Sequence, residues 1–230
     1  MPIALITGAS AGLGRAAARA LAERGWSLVV DARREDDLTD AIGGLASVVA
    51  IAGDVTDPVH RARLATAVSG FGRLDLLVNN ASRLGPSPQP LLRDYPIDEI
   101  GRVYDTNVIA PLALIQLLTG PLITAGGVIV NVSSDAAVEA YQGWGGYGSS
   151  KAALDQLTAV LAAEAPSLHC YAFDPGDMRT EMHQRAFPGE DISDRPEPES
   201  VVPALLRLLD ERPPGGRYRA SDLTATVVAS

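Results

Sequence analysis

A phenol and an ammonium stand four residues apart in Tyr147-Gly148-Ser149-Ser150-Lys151, with Ser133 and Ser134 a short way upstream. Residues four apart share one face of a helix, so the cation can sit close enough to the phenol to favour its ionised form. That is the layout of a general acid/base. A free phenol titrates at about 10, and each unit of lowering corresponds to about 1.4 kcal/mol of preferential phenolate stabilisation. A cation about 4 Å away in a partly shielded site interacts by about 4 kcal/mol, so the expected direction at Tyr147 is down, with desolvation taking some of the shift back. Such a pair also arises by chance on solvated helix faces, and its meaning depends on what the rest of the chain builds around it.

The elements available to position the pair alternate in type. Apolar runs at 3–7, 27–31, 47–51, 74–79, 127–133 and 168–173 read as strands, several of them apolar throughout, as when both faces of a sheet are covered. Segments of helical period lie between and after them, at 12–24, 58–70, 97–118, 147–165 and 198–211, with a weaker one at 35–42. Strand and helix in alternation imply right-handed crossovers and a parallel sheet. The pattern predicts an α/β, Rossmann-type doubly wound sheet of about seven strands in a single domain over residues 1–230. The region 187–199, rich in Pro and acidic residues, reads as a mobile surface excursion.

Composition narrows the class of partner. With 230 residues, 47% of them hydrophobic, the chain can bury a sizeable core. A net charge of −9 with scattered Arg argues against nucleic acid and anionic membrane surfaces. Cys170 is the one cysteine, so no internal disulfide forms and nothing points to a metal. The expectation is a soluble cytoplasmic protein, with no signal core and no apolar run approaching a membrane-spanning length.

The strongest local signal is Thr7-Gly8-Ala9-Ser10-Ala11-Gly12-Leu13-Gly14, which follows a strand and opens a helix. Its glycines allow a tight turn and let backbone amides approach an anion at the helix N-terminus, as a pyrophosphate requires. Asp54 and Val55 after the third strand, and Asn79-Asn80-Ala81-Ser82 after the fourth, lie at carboxyl ends of strands, where open α/β sheets bind ligands. Asp54 and Val55 suit an adenine edge. Asp57 is the better N-cap for the helix opening at Pro58.

In this order and spacing the chain resembles the short-chain dehydrogenase/reductase family. The family pattern T-G-x-x-x-G-x-G falls on Thr7, Gly8, Gly12 and Gly14, and N-N-A-G on Asn79, Asn80 and Ala81, with Ser82 in place of the last glycine. Its helical Asn falls on Asn107, its catalytic Ser on Ser134, its Y-x-x-x-K on Tyr147 and Lys151, and its P-G with a following Thr on Pro175, Gly176 and Thr180. The resemblance implies hydride transfer between a nicotinamide cofactor and a carbonyl or secondary alcohol. Tyr147 would move the proton, and Lys151 would tune it and hold the nicotinamide ribose. Ser134 would fix the substrate oxygen, and Asn107 would anchor a water relay to Lys151. Strand alternation allows only one of Ser133 and Ser134 into the cleft, and the family spacing, 13 residues before the Tyr, selects Ser134. Asn107 read alone is an exposed helix polar. Ser10, Leu13, Ala81 and Met178 join the expected cofactor contacts, and a homodimer through the helices bearing Asn107 and Tyr147, or a homotetramer, is the expected assembly.

Cofactor choice turns on Val30-Asp31-Ala32-Arg33-Arg34. The family's discriminating carboxylate stands about eighteen residues after the last turn glycine, which is Ala32, and the next position, often Arg in NADP enzymes, is Arg33. Asp31 is one place early, and alternation aims it the other way. NADP(H) is therefore preferred over NAD(H), the alternative for Arg33 and Arg34 being a solvated pair that balances Glu35, Asp36 and Asp37. A substrate lid is expected at 177–198, and Tyr141, Trp144, Met178 and Met182 offer aromatic and flexible apolar surface for a hydrophobic small-molecule ketone or alcohol. The same residues would also serve simply to close the end of the sheet. His183 reads as solvated. Two other functions fit the site: a nucleotide-dependent epimerisation in which hydride is returned, and a redox sensor that binds cofactor without turnover.

Overall fold

A short strand that is apolar on both faces is stable only when helices cover it on each side. In the computed structural model, which describes residues 1–224, this is the environment of the central strands. They are β1 (Ile3–Ile6), β2 (Ser27–Ala32), β3 (Val48–Ala52), β4 (Leu76–Asn79), β5 (Val128–Val132), β6 (His169–Asp174) and β7 (Gly216–Arg219). They form one parallel sheet in the order β3-β2-β1-β4-β5-β6-β7. The order reverses between β1 and β4, so a crevice opens at their carboxyl ends.

Alternation within each strand divides the core into two halves. Ala4, Ile6, Leu28, Val30, Leu76 and Val78 face one side. There they meet α1 (Gly12–Glu23) and α8 (Val202–Glu211). Leu5, Val29, Leu77 and Ile129 face the other. They are covered by α3 (Pro58–Ser69), α5 (Ala110–Ala125) and part of α6 (Gly145–Glu164). Two buried asparagines cross this core in a ladder that leaves only the Asn79 Oδ1 without a partner among its side-chain amide atoms. Asn79 donates to Asn131 at 2.8 Å and Asn131 to Thr158 at 2.8 Å, which bonds β4 to β5 and β5 to α6 through side chains.

The observed strands and most of the main helices lie within about two residues of the expected ones, the usual latitude of element ends. The helix expected at 198–211 opens later, as α8 at Val202 behind a short tight turn at Pro198–Ser200. The helix expected at 97–118 differs more. It is α4 (Ile97–Tyr104), a widened turn over Asp105–Ile109, and then α5, which runs on to Ala125. Pro121 is tolerated inside α5, and Gly126, at φ +57°, ends it in the left-handed conformation. The continuous run of 29 residues, mean hydropathy 1.9 in its most apolar window, is long and apolar enough to cross a membrane, correcting the expectation that no segment reaches that length. Its Leu114, Leu118 and Leu122 are buried in the sheet's second core half.

Asp57 caps α3 by accepting from the Val59 amide at 2.8 Å, as expected. The short helices α7 (Glu181–Ala186) and α9 (Ala220–Thr224), together with α2 (Glu35–Ile42), complete the set. Neither α7 nor α9 is long enough to show a helical period in sequence. The return segment after α7 is tied down by a bond from the Arg179 amide to the Pro196 carbonyl at 2.8 Å, an Arg179–Glu197 ion pair, and burial of Ile192.

Leu77 sits at the centre of the sheet with no exposed surface. Leu77→Ala should cost about 3 kcal/mol in urea unfolding, against about 1 kcal/mol for Asp57→Ala at the α3 cap. Equal or reversed costs would contradict this division between core and cap.

Candidate active site

The glycine turn forms because two of its residues need positive φ, Gly8 at +68° and Gly12 at +54°. A third needs the absence of a side chain: a Cβ on Gly14 would run into the Gly8 carbonyl and the Asn80 amide. Asn80 ties the turn to β4, with Nδ2 donating to the Thr7 and Gly8 carbonyls at 2.9 and 3.1 Å. The Asn80 and Ala81 amides both donate to Thr7 Oγ1 at 3.0 Å. No side chain caps α1, whose first position is preceded by Ala11, so its leading amides remain available to an anion. The turn therefore fits a pyrophosphate. Ser10 is half-buried beside it, whereas the Leu13 side chain lies in the core, so of the expected contacts Leu13 can offer only its backbone.

Asp31 lies beneath this turn. It is fully buried, accepting from the Gly8 amide at 3.0 Å and bonding His60 Nε2 at 2.9 Å. Burial pushes its carboxyl up, opposed by the bonds from His60 and Gly8. It thus points away from the rim, as alternation requires. Arg33 is exposed at the rim, close enough to Asp54 to help hold that carboxyl down against its partial burial. Asp54 also accepts from the Thr56 amide and hydroxyl at 2.8 Å, and the Val55 carbonyl accepts from Arg61 at 2.7 Å. The support from His60 was not evident in sequence. The available signal was Gly53, where a Cβ would collide with the His60 ring.

Asn107 is not the exposed helix polar that its sequence context suggests. It is buried in the widened turn, a form frequent at functional sites. Its Oδ1 accepts from Ser82 Oγ at 3.2 Å and the Arg83 amide at 2.8 Å, while Nδ2 donates to the Arg83 carbonyl at 3.0 Å and Ser150 Oγ at 2.9 Å. The side-chain amide is fully used in joining the loop after β4 to α6.

Tyr147 and Lys151 are both buried on α6. Lys151 Nζ lies 5.5 Å from the Tyr147 ring centroid and donates to the Val132 carbonyl at 2.7 Å. The Ser82 and Ser134 hydroxyls lie against the phenol. Burial nevertheless pushes Tyr147 up to about 12, opposed by those hydroxyls, which reverses the downward direction expected from spacing alone. Burial also lowers Lys151 to about 8, partly offset by Asp155. Desolvation outweighs the attraction between the two because the ammonium is directed at the end of β5 rather than at the phenol oxygen. Ser134 faces the cleft. It donates to Asp135 Oδ1 at 2.9 Å and accepts from the Ala136 amide at 3.2 Å, while Ser133 is buried on the other side of the strand.

Above the phenol, Trp144 packs edge-on to Tyr147 at 5.8 Å and to Tyr141 at 6.2 Å, and against Phe187 at 5.7 Å. Leu84 and Met182 complete this apolar wall. Phe187, which the sequence places in the surface excursion, thus belongs to the wall. Met178 instead packs on the core cluster that contains Leu13 and Leu205. His183 is not solvated: its ring packs tilted against Phe187 at 4.9 Å and its Nδ1 is 3.7 Å from Asp177. A cavity of about 350 Å³ opens between the loops after β5 and β6, lined by Asp135, Glu139, Tyr141, Asp177 and Arg219 among others, so one wall is polar rather than hydrophobic. Pro175 and Gly176 also line it, and the Gly176 amide donates to Asp174 at 3.0 Å. Thr180 caps α7 and brings its methyl near Gly12, which joins the segment after β6 to the glycine turn.

The family model for short chain dehydrogenases matches residues 2–191. Serine 3-dehydrogenase from Agrobacterium fabrum is 35% identical over 185 residues, covering 77% of this chain and 72% of that protein. A short-chain dehydrogenase from Pseudomonas syringae superposes with a TM-score of 0.89 at 32% identity, over 95% of this chain and 94% of its own. Another from Escherichia coli, solved with NADPH, gives 0.87 at 29% identity over 95% and 96%. With its parallel sheet, its uncapped glycine turn and its buried Tyr147–Lys151 pair, the chain belongs to the short-chain dehydrogenase/reductase family and is an NAD(P)-dependent oxidoreductase.

Proposed function

We propose that this oxidoreductase interconverts a small carbonyl compound and its secondary alcohol, with Tyr147 as the general acid/base and NADP(H) as the preferred cofactor. The observation that carries this reading is the buried Tyr147 phenol, with Ser134 and Ser82 hydroxyls beside it and Lys151 one helical turn away. When bound, the nicotinamide supplies or accepts the hydride. In the reductive direction Tyr147 donates its proton to the carbonyl oxygen, a role suited to a phenol that burial keeps protonated. Ser134, whose hydroxyl now donates to Asp135, turns to donate to the same oxygen and fixes its distance from Tyr147. Lys151 holds the ribose hydroxyls, and Asn107 keeps the loop after β4 against α6.

Preference for NADP(H) rests on the rim of β2. Asp31 is committed beneath the turn, Ala32 stands where a ribose carboxylate would be, and Arg33 is free to meet a 2′-phosphate. Exposed apolar residues Ile109, Leu117 and Ile123 on the α4–α5 run and Val160 on α6 suit pairing with a second copy through these helices, as a homodimer or homotetramer.

Tyr147→Phe should lower kcat on any accepted ketone by about 10²-fold or more with KM little changed, since it removes the proton donor alone. Unchanged kcat removes Tyr147 from the mechanism. Arg33→Ala should raise KM for NADPH about tenfold or more and leave KM for NADH nearly unchanged. A wild-type preference for NADH refutes the Arg33 assignment.

Lys151 gives a stability prediction of opposite sign to its catalytic one. Its folded pKa of about 8 lies below its ordinary value, so between about pH 8 and 10 the unfolded chain binds the extra proton and this group's contribution to stability rises with pH. Below about pH 8 the full cost of burying the ammonium is present. Lys151→Met should therefore abolish turnover while raising unfolding stability at pH 7 by about 1–2 kcal/mol, a gain that disappears near pH 10. A variant less stable than the parent at pH 7 contradicts this.

A further inference from the structure

Resting on the reading of Tyr147 and Lys151 as the acid/base pair, we propose that Arg217 is a positioning residue. It engages Asp155 and so prevents that carboxylate from drawing Lys151 off the site, and it ties the Ser134 backbone to the end of β6. Asp155 stands one turn beyond Lys151 on α6, at the four-residue spacing that favours an ion pair. Among the described residues no such pair forms. Instead the Arg217 Nε donates to Asp155 Oδ2 at 3.0 Å, and one terminal nitrogen donates to Asp174 Oδ2 at 2.8 Å and to the Ser134 carbonyl at 2.9 Å. Asp174 in turn receives the Gly176 amide at 3.0 Å. A single guanidinium therefore joins β7, α6, the serine loop and the Pro-Gly loop, a task that the fixed fork of Arg performs and a point charge does not.

Both carboxylates are largely shielded from water, with side-chain exposures of 15% for Asp155 and 4% for Asp174. Neither is stable there without a cation. Burial pushes Asp155 up, opposed by Ser133, Arg217 and Lys151. The charged and titratable groups facing this cluster are Tyr147 beside the ammonium, Asp155 on α6, Arg217 on β7 in contact with Asp155 and Asp174, Arg219 facing Asp174, and Asp135 with Asp174 acting on the phenol. Of these, Asp155 is the one that acts on Lys151 and has a second cation in contact. If Arg217 is removed, Asp155 has one cation left within reach, Lys151.

Lys151 is the only lysine in the chain, so lysine labelled with ¹³C at Cε gives one NMR signal that reports its titration whether or not the protein turns over a substrate. The expected result for Arg217→Gln is a rise in the Lys151 midpoint of about one unit or more. On an accepted carbonyl substrate kcat should fall about tenfold or more with cofactor KM within about threefold. Adding Asp155→Asn should restore the midpoint and most of kcat, a rescue that a merely structural role for Arg217 does not predict. An unchanged midpoint in Arg217→Gln, or a double variant as impaired as the single one, overturns the proposal. If Arg217→Gln does not fold, Asp155→Asn alone decides: a midpoint shift below about half a unit supports engagement by Arg217, and any larger fall shows that Asp155 already serves Lys151 and overturns the proposal. A wild-type protein that reduces no carbonyl sinks the acid/base reading, and the NMR titration still decides the placement of Arg217.

Discussion

A lysine ammonium taken out of water needs a partner at hydrogen-bond distance, and here that partner is the Val132 carbonyl at the last residue of β5. The contact fixes much of the surrounding architecture. It demands that α6 lie close against the end of the sheet, and Gly148, between Tyr147 and Lys151, permits this because a Cβ there would sit 2.6 Å from the Ala136 carbonyl. Gly145 and Gly146 similarly leave room for Leu92 and Tyr95 at the start of the helix. The Tyr-Gly-Ser-Ser-Lys stretch thus encodes close approach as well as acid/base spacing, and Ser150 adds the bond that brings Asn107 against the same helix.

Most of the fold was legible because its signals are local. The buried strands are short apolar runs, the turn after β1 carries its glycines in sequence order, and Asp57 before Pro58 marks a helix start. Alternation anticipated that Ser133 and Ser134 differ in placement, Ser134 lying against the phenol and Ser133 buried, and that Asp31 sits under the turn rather than at the rim. What failed was whatever depends on the third dimension. The direction of the Tyr147 shift follows from how much water burial removes, which the four-residue spacing does not encode. Asn107 read alone looks solvent-facing because the widened turn that buries it has no compositional mark, and only the family pattern drew it to the site. Phe187 and His183 join the apolar wall through a six-residue helix too short to announce itself.

Two buried carboxylate clusters flank the cleft, and they differ in kind. At the nucleotide end Asp31 holds the Gly8 amide and a histidine, so its contribution is to the shape of the turn. At the other end Asp155 and Asp174 share Arg217, whose third bond reaches the serine loop. β7 carries that arginine, and its Gly-Arg-Tyr-Arg sequence has little of the apolar character of the central strands. An edge strand is half solvated, so it can carry charge where β4 or β5 cannot.

The protonation pattern of the protein alone bears on which half of the reaction needs help. At neutral pH a phenol titrating near 12 is protonated, and an ammonium titrating near 8 is mostly charged. This is the state required to deliver a proton to a carbonyl oxygen. The reverse reaction requires phenolate, and the 5.5 Å separation between Lys151 and the Tyr147 ring, with the ammonium directed at Val132, leaves that anion poorly stabilised. Under the proposed mechanism the positive ring of an oxidised nicotinamide, once bound, would offset that deficit. The acid form of Tyr147 is then set by burial within the fold, whereas its base form would draw on the charge of the bound cofactor.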